Sequence, residues 1–187
     1  MAEWITQLDF SVLYGIRHTL ECAFLDFFMP KITFLGNAGL IWLLVAFVLL
    51  FFPKYRRTGI LLLAGLATGA LVGNLLLKTL VARPRPCWLD PAVRLLIAVP
   101  KDFSFPSGHT LSSTIAATVL TAANRRFAFT AIPLAVLIAF SRLYLFVHFP
   151  TDVLVAAILG IGIGLAMWRW GNVLLCRACA ALRRRKG

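Results

Sequence analysis

Eight polar residues in this sequence have the types and spacing that phosphate chemistry requires. They are three cations, two histidines, an aspartate and a Ser-Gly pair: Lys78, Arg85, Arg142, His109, His148, Asp152, Ser107 and Gly108. Fixed cations and free backbone N–H groups bind phosphate oxygens, and histidine exchanges protons near neutral pH. No carboxylate cluster suited to Mg²⁺ or Ca²⁺ accompanies them, and three fixed cations would repel Zn²⁺. The residues therefore predict a phosphate site with no metal and no cofactor.

Taken singly, these residues have ordinary structural explanations. Lys78 suits an interfacial lysine that extends toward the headgroups, and Asp152 is a favourable charge at a helix start. Ser107 can cap a helix that begins after Pro106, whose first N–H groups then form an anion site. Gly108 lets the backbone approach the anion closely. The functional interpretation rests on the conjunction of all eight residues on one face.

The elements that carry these residues are predicted to be membrane-crossing helices. Of the 187 residues, 60% are hydrophobic and 14% charged, and the mean hydropathy is +0.87. A soluble domain is less apolar, and four cysteines are too few for a disulfide scaffold. Since a crossing helix needs about 20 apolar residues, we expect an all-α, polytopic transmembrane helix bundle with five spans. The uncharged runs are Ile32–Phe52, Thr58–Leu77, Phe103–Asn124, Phe127–Ser141 and Val153–Trp168.

The N-terminal segment, residues 1–31, allows two interpretations. Its apolar residues recur at helical spacing, but Arg17, His18, Glu21 and Asp26 interrupt them. Charges at the bilayer centre are costly, so we expect an amphipathic helix on the outer surface, anchored by Trp4. The alternative is a sixth span with its polar face buried in the bundle.

The distribution of charge predicts the orientation. Alternate threading of five spans places eleven of the 19 Lys and Arg residues, and no acid, on one side of the membrane. The other eight basic residues and all seven acids fall on the opposite side. Excess Lys and Arg mark the cytoplasmic face, so the phosphate site is predicted to be extracytoplasmic. The basic tail, residues 171–187 with Cys176 and Cys179, is predicted to be cytoplasmic. The pI of 10.6 is thus a topology signal, and no nucleic-acid partner is expected.

Three motifs in this order resemble one known family. Lys78–Pro86 fits K-x6-R-P, Pro106–His109 fits P-S-G-H, and Ser141–Asp152 fits S-R-x5-H-x3-D. Together they resemble the type 2 phosphatidic acid phosphatase superfamily, which includes vanadium haloperoxidases. The resemblance extends over about residues 30 to 170, and it implies that residues 32–170 form a transmembrane phosphatase domain.

The resemblance also implies roles for single residues. His148 would be the nucleophile that forms a phosphohistidine, and Asp152 would accept a hydrogen bond from its other ring nitrogen. His109 would protonate the leaving oxygen and then deprotonate water. The phosphate would be held by five residues: Lys78, Arg85, Ser107, Gly108 and Arg142. Arg83 lies outside the motif pattern, and we expect it to contact a headgroup or the substrate.

The function that these observations favour is that of a lipid phosphatase in the plasma membrane. The small size and outward site resemble bacterial enzymes that act on undecaprenyl diphosphate, although relatives act on phosphatidylglycerol phosphate, phosphatidic acid or lipid A. A transporter would carry polar residues at mid-membrane, whereas here they lie at helix ends. A catalytically inactive lipid-binding scaffold would usually lack His148 or His109. A haloperoxidase fits less well, because those members are soluble.

Overall fold

The computed structural model describes residues 3–173, and every regular element in this range is a helix. Two π-helical stretches, Ala70–Leu77 and Met167–Gly171, and two 3₁₀ turns, Asn37–Gly39 and Arg125–Phe127, link or extend the α-helices. The α-helices are α1 (Glu3–Leu20), α2 (Ala23–Leu35), α3 (Leu40–Phe51), α4 (Arg56–Gly69), α5 (Lys78–Val81), α6 (Pro86–Leu89), α7 (Gly108–Ala123), α8 (Ala128–Tyr144) and α9 (Pro150–Ala166). The prediction of an all-α protein is confirmed.

Helix α7 is the centre of the bundle and packs against α4, α8 and α9. Its approach to α9 depends on two glycines spaced one turn apart. A Cβ on Gly160 would lie 1.9 Å from Oγ1 of Thr114, and one on Gly164 would lie 2.7 Å from Thr118. Small residues at such spacing let helix backbones approach closely within a membrane. The helix that begins at the P-S-G-H motif is therefore fixed along its length.

Two apolar clusters hold the bundle together. The inner cluster joins α3, α4, α7 and α8 around Trp42, whose indole N–H donates to Ser113 Oγ over 2.9 Å. The outer cluster packs Leu13 of α1 and Met29 of α2 against the turn that links α8 to α9. That turn is almost completely buried and carries His148. The N-terminal helices thus cover one side of the functional region.

The helices include several that are long and apolar enough to cross a membrane. Three continuous helical stretches qualify, Arg56–Leu89, Arg125–Tyr144 and Pro150–Gly171. The pair Ala23–Leu35 and Asn37–Phe51, bent by 47°, qualifies as a fourth if it is one broken span. The other predicted crossing, α7, has 16 residues, or roughly 24 Å at 1.5 Å per residue. The count of five spans stays a prediction.

The N-terminal segment contains two helices, because the chain leaves helical geometry at Glu21 and Cys22. Helix α1 buries only Asp9 and Leu13, while Trp4 and Leu8 are exposed. Whether α1 lies on the membrane surface stays a prediction. The tail beyond residue 173, with Cys176 and Cys179, lies outside the described residues.

Candidate active site

The first motif positions its cations through a helix end. Lys78 begins α5, and Ala82 ends that helix in the left-handed conformation with φ of 45°. Arg85 then has extended backbone, and Pro86 begins α6 as its first residue. Proline suits this position because its fixed φ fits the first turn. Arg85 is therefore directed inward between two short helices, and its side chain is 3% exposed.

Arg85 is hydrogen-bonded to the loop that carries His148 and also to Asp102, which precedes α7. Its Nη1 donates to the Val147 carbonyl over 2.6 Å and lies 3.1 Å from His148 Nε2. Its Nε and Nη2 bond the carbonyl and the carboxylate of Asp102, each over 2.7 Å. A guanidinium only donates. His148 Nε2 must therefore be the acceptor and carry a lone pair.

Asp102 supplies the anion that balances these cations in this structure. Its second carboxylate oxygen lies 2.5 Å from Lys78 Nζ, and the side chain is 55% exposed. Burial opposes ionisation of Asp102, but the Lys78 hydrogen bond and the Arg85 charge outweigh it and lower its pKa. Asp102 therefore stays a carboxylate, and it occupies donors that were predicted to hold phosphate.

His148 is held as a neutral imidazole at the floor of the pocket and is 1% exposed. Burial and the charges of Arg85, Arg142 and Lys78 lower the pKa of His148 well below its usual range. Since Nε2 accepts from Arg85, the proton must be on Nδ1. The ring therefore presents an unprotonated nitrogen on the cationic side, which is the form a nucleophile requires.

The expected direct hydrogen bond between His148 and Asp152 is wrong. Nδ1 of His148 lies 3.8 Å from the Asp152 carboxylate. The Ser104 hydroxyl donates to that same carboxylate oxygen, and its oxygen lies 3.5 Å from Nδ1. Asp152 Oδ2 also accepts the Phe149 N–H at the start of α9, over 3.0 Å. The Ser104 hydroxyl therefore lies between the His148 ring and the Asp152 carboxylate.

The expectation that Arg83 contacts a headgroup or the substrate is also wrong. Arg83 is 6% exposed and lies 2.6 Å from Asp152 and 2.7 Å from Asp9 of α1. Two buried carboxylates attract the guanidinium more strongly than open solvent would. Arg83 is directed away from the pocket, into the protein behind His148.

The second motif forms the N-terminus of α7 as the sequence predicts. Ser107 Oγ accepts the Thr110 N–H over 3.4 Å and the Thr110 hydroxyl over 3.0 Å. The Ser107 N–H donates to the backbone carbonyl of Asp152 over 3.4 Å. It is therefore not one of the free N–H groups that we expected at the start of this helix. A hydroxyl that accepts can still donate, so direct phosphate binding by Ser107 stays a prediction. Gly108 lines the pocket, and a Cβ there would lie 2.9 Å from Asn74.

His109 lies in the pocket beside the bend between α2 and α3. Its Nε2 is 2.9 Å from Asn37 Oδ1, and Asn37 precedes two residues with positive φ, Ala38 and Gly39. A Cβ on Gly36 would lie 2.7 Å from the His109 ring. The bend thus provides both a polar partner and the space for the imidazole. Sequence reasoning missed Asn37, because the interpretation of that region rested on hydrophobicity alone.

Arg142, from the third motif, reaches the pocket from α8. Its Nη1 donates to Thr33 of α2, and the residue is 4% exposed. Its Nε is buried with no hydrogen-bond partner among the described residues. A buried donor without a partner is costly, and Arg142 is one of the residues that line the pocket.

Six of the eight predicted site residues line one pocket of about 840 Å³, whereas Ser107 and Asp152 do not line it. Its polar end is formed by Lys78, Arg85, Gly108, His109, Arg142 and His148. Its other walls include Pro30, Phe34, Leu66 and Leu111, which suit a hydrocarbon chain. The described residues contain no group of three or more His, Cys, Asp or Glu that could hold a metal. Fold and pocket therefore define a helical protein of membrane-spanning type with a cationic pocket that has apolar walls.

Comparison with known proteins identifies the family. Residues 57–175 match the model of the PAP2 superfamily, so the chain belongs to that superfamily and is a lipid phosphatase. It is 28% identical over 165 residues to undecaprenyl-diphosphatase BcrC of Bacillus subtilis, covering 88% of this chain and 83% of that one. It is 35% identical over 131 residues to decaprenylphosphoryl-5-phosphoribose phosphatase of Mycobacterium tuberculosis, covering 66% and 67%.

A solved structure shows the same relationship. The crystal structure of a transmembrane PAP2-type phosphatidylglycerolphosphate phosphatase from Bacillus subtilis is 26% identical, with a TM-score of 0.75. The alignment covers 91% of this chain and 88% of that one. The likeness therefore extends into the part of the chain before residue 57, where the family match begins.

Proposed function

We propose that this protein removes the terminal phosphate of undecaprenyl diphosphate through a phosphohistidine on His148. The observation that carries the mechanism is the 3.1 Å contact between Arg85 Nη1 and Nε2 of a buried His148, because a guanidinium can only donate to that nitrogen. Two relatives whose names specify polyprenyl phosphate substrates support the choice of lipid. The apolar walls of the pocket are compatible with a polyprenyl chain.

In the first step, Arg85 Nη1 exchanges its hydrogen bond to His148 Nε2 for one to a phosphate oxygen. The freed lone pair on Nε2 then attacks the terminal phosphorus. The bond from phosphorus to the bridging oxygen breaks, and that oxygen keeps the electron pair. Protonated His109 donates its proton to the leaving oxygen, which releases the lipid monophosphate. The Nδ1 proton stays on His148 and faces Ser104, which bonds the Asp152 carboxylate.

In the second step, water attacks the phosphorus of the phosphohistidine. His109, now neutral, takes a proton from the water. The P–N bond breaks, its electron pair returns to His148 Nε2, and inorganic phosphate leaves. Lys78, Arg85 and Arg142 with Ser107 and the Gly108 N–H hold the equatorial oxygens and stabilise the developing charge in both steps.

Asp102 must yield its position when the substrate binds, in this proposal. Its carboxylate pairs with Lys78 and Arg85, and its 55% exposure lets it move aside. A phosphate dianion carries more charge than a carboxylate and more acceptor oxygens, so it competes well for these two donors.

We further propose five crossings, with the pocket on the extracytoplasmic side and residues 171–187 on the cytoplasmic side. The bent pair α2 and α3, the α4 stretch, α7, α8 and α9 would be the five spans. The exclusion of acids from one side supports this orientation. In this arrangement, α1 forms the outer amphipathic segment. The phosphatase domain, which the sequence places at residues 32–170, begins earlier, with α2 at Ala23.

The substrate is tested by phosphate release from the detergent-purified protein in EDTA. Undecaprenyl diphosphate, phosphatidylglycerol phosphate and phosphatidic acid would be compared at matched concentrations. We expect kcat/KM for the diphosphate to exceed the others by at least about tenfold. Preference for a glycerolipid would reassign the substrate while keeping the mechanism. Activity lost in EDTA and restored by Mg²⁺ would contradict a reaction without a metal, and no release from any lipid would favour an inactive scaffold.

The orientation is tested by labelling single cysteines with a membrane-impermeant maleimide in a background without the native cysteines. Ala92→Cys lies in the exposed loop after α6, and Lys54→Cys lies between α3 and α4. In intact cells we expect labelling at position 92 and not at position 54, which should react only after permeabilisation. The reverse pattern would invert the proposed topology.

A further inference from the structure

Asp9, on the N-terminal helix α1, is a buried carboxylate that the phosphatase mechanism does not use. It is 2% exposed and precedes the family match, which begins at residue 57. Its Oδ2 lies 2.7 Å from Arg83 Nη2 and accepts the Thr151 hydroxyl over 2.6 Å. Its Oδ1 accepts the Thr151 N–H over 3.0 Å. Two of these bonds reach Thr151 in the first turn of α9, and the third reaches Arg83 between α5 and α6.

Arg83 connects Asp9 to Asp152, which lies beside the active site. Its Nη1 donates to Asp152 Oδ1 over 2.6 Å and to Thr151 Oγ1 over 2.8 Å. Its guanidinium also lies 3.9 Å above the ring of Phe149, next to His148 in the chain. A planar guanidinium bonded at both nitrogens and stacked on one face has little freedom to turn. Arg83 therefore fixes Asp152 with respect to α1.

Asp152 has two oxygens with different partners. Oδ1 is taken by Arg83, and Oδ2 is left to Ser104 and to the Phe149 N–H. Ser104 is also bonded through its backbone N–H to the Arg83 carbonyl over 2.8 Å. If Arg83 released Oδ1, the carboxylate could rotate, and the hydroxyl that faces His148 Nδ1 would lose its partner.

We propose that Asp9 and Arg83 are positioning residues of the phosphatase reaction, holding Asp152 and Ser104 so that His148 keeps its proton on Nδ1. The inference rests on the proposed role of His148 as the nucleophile. It makes α1 a part of the active site, although no atom of α1 needs to touch the substrate.

The charges explain why this requires both residues. Asp9, Arg83 and Asp152 together carry one net negative charge in the interior. Without Asp9, the full charge of Arg83 acts on Asp152 alone and weakens its hold on the Ser104 hydroxyl. Without Arg83, two buried carboxylates lose the cation that lies between them and repel each other. Either change alters the Asp152 carboxylate, which accepts the hydrogen bond from Ser104. The Ser104 hydroxyl in turn faces Nδ1 of His148.

The test compares Asp9→Asn and Arg83→Gln with wild type in steady-state kinetics on undecaprenyl diphosphate. Supporting residues behind a reacting group typically contribute about 10- to 100-fold. We expect kcat to fall by about this factor in each variant, while KM changes by less than about threefold because the pocket cations are untouched. A purely structural role would reduce the yield of folded protein without this separation of kcat from KM.

Tyr14→Phe is the matched control on the same helix. The Tyr14 hydroxyl donates to Asp90 over 2.6 Å, so its removal also loosens α1, but at a distance from the Asp152 network. We expect wild-type kcat in this variant. An equal loss in Tyr14→Phe and Asp9→Asn would assign the effect to helix docking and overturn the proposal.

Thr151→Val keeps the test open if Asp9→Asn does not fold. It removes only the hydroxyl that links Asp9 to Arg83, and we expect kcat to fall about tenfold with KM unchanged. The tautomer provides a direct readout, because the chain has only three histidines. The ¹⁵N shifts of His148 should show the Nδ1–H form in wild type and a mixture of tautomers in the variants.

His148→Ala, measured in parallel, separates the two claims. If His148→Ala is inactive while folded Asp9→Asn and Thr151→Val keep wild-type kcat and tautomer, the role of Asp9 and Arg83 is overturned and the proposed function stands. If His148→Ala retains full activity, the proposed function fails first. A selective loss of kcat in both variants, with a mixed tautomer and an unaffected Tyr14→Phe, supports the proposal.

Discussion

Replacing His148 with alanine should lower phosphate release by roughly 10⁴- to 10⁶-fold, the range seen when a nucleophile is removed from an enzyme that relies on it. The reason is positional as well as chemical. Nε2 of His148 is the acceptor of an Arg85 hydrogen bond, and alanine has no nucleophilic atom to take its place. The measurement is release of inorganic phosphate from undecaprenyl diphosphate by purified wild type and variant.

The third histidine provides the control for this substitution. His18 lies on the exposed side of α1, so His18→Ala should retain wild-type activity in the same assay. A His148→Ala protein that elutes as wild type in detergent and still turns over at a comparable rate would remove the covalent mechanism.

Replacing Arg85 with lysine should have the second-largest effect, a loss of about 10³-fold in kcat/KM. Lysine keeps the charge but cannot reproduce the planar set of donors that reaches Asp102, the Val147 carbonyl and His148 together. Removal of one preorganised donor costs about 10²- to 10³-fold, and loss of an arginine at a transferring phosphoryl group costs 10³- to 10⁵-fold. Steady-state kinetics on the diphosphate give the comparison.

Arg94→Lys is the matched substitution for Arg85→Lys. Arg94 lies after α6, in the connection to α7, and is exposed. It should therefore show wild-type kinetics. If only the charge mattered at position 85, kcat/KM of Arg85→Lys would also stay within about threefold of wild type. That result would contradict the role assigned to the planar set of guanidinium donors.

The sequence predicts the pocket well where function depends on residues at the ends of helices. Lys78, Arg85, His109, Arg142 and His148 all line one cavity. Their motifs begin or end helices, so the apolar runs between them determine which ends meet. Periodicity and span length are local properties, and they can be read from one stretch of chain at a time.

The sequence does not predict the contacts behind His148, because they join distant parts of the chain. Arg83 bonds Asp9 and Asp152, which are 74 and 69 residues away. The charge distribution placed all three on one side of the membrane, but not in contact. A single arginine among prolines has no local signature that distinguishes a buried ion pair from a headgroup contact.

The bend between α2 and α3 was missed for a different reason. The run from Ile32 to Phe52 is uncharged, so hydrophobicity indicates one straight span. Gly36, Asn37 and Gly39 interrupt it, and the structure bends there by 47°. Glycine and asparagine are weak helix formers, and this signal would have located the residues that surround His109.

The stereochemical course at phosphorus tests the covalent mechanism most directly. Undecaprenyl diphosphate would carry sulfur and two oxygen isotopes of defined configuration on its terminal phosphorus, and the configuration of the released thiophosphate would be determined. Two in-line displacements, first by His148 and then by water, predict net retention. Net inversion would mean that water attacks the substrate directly, and it would contradict a phosphohistidine intermediate.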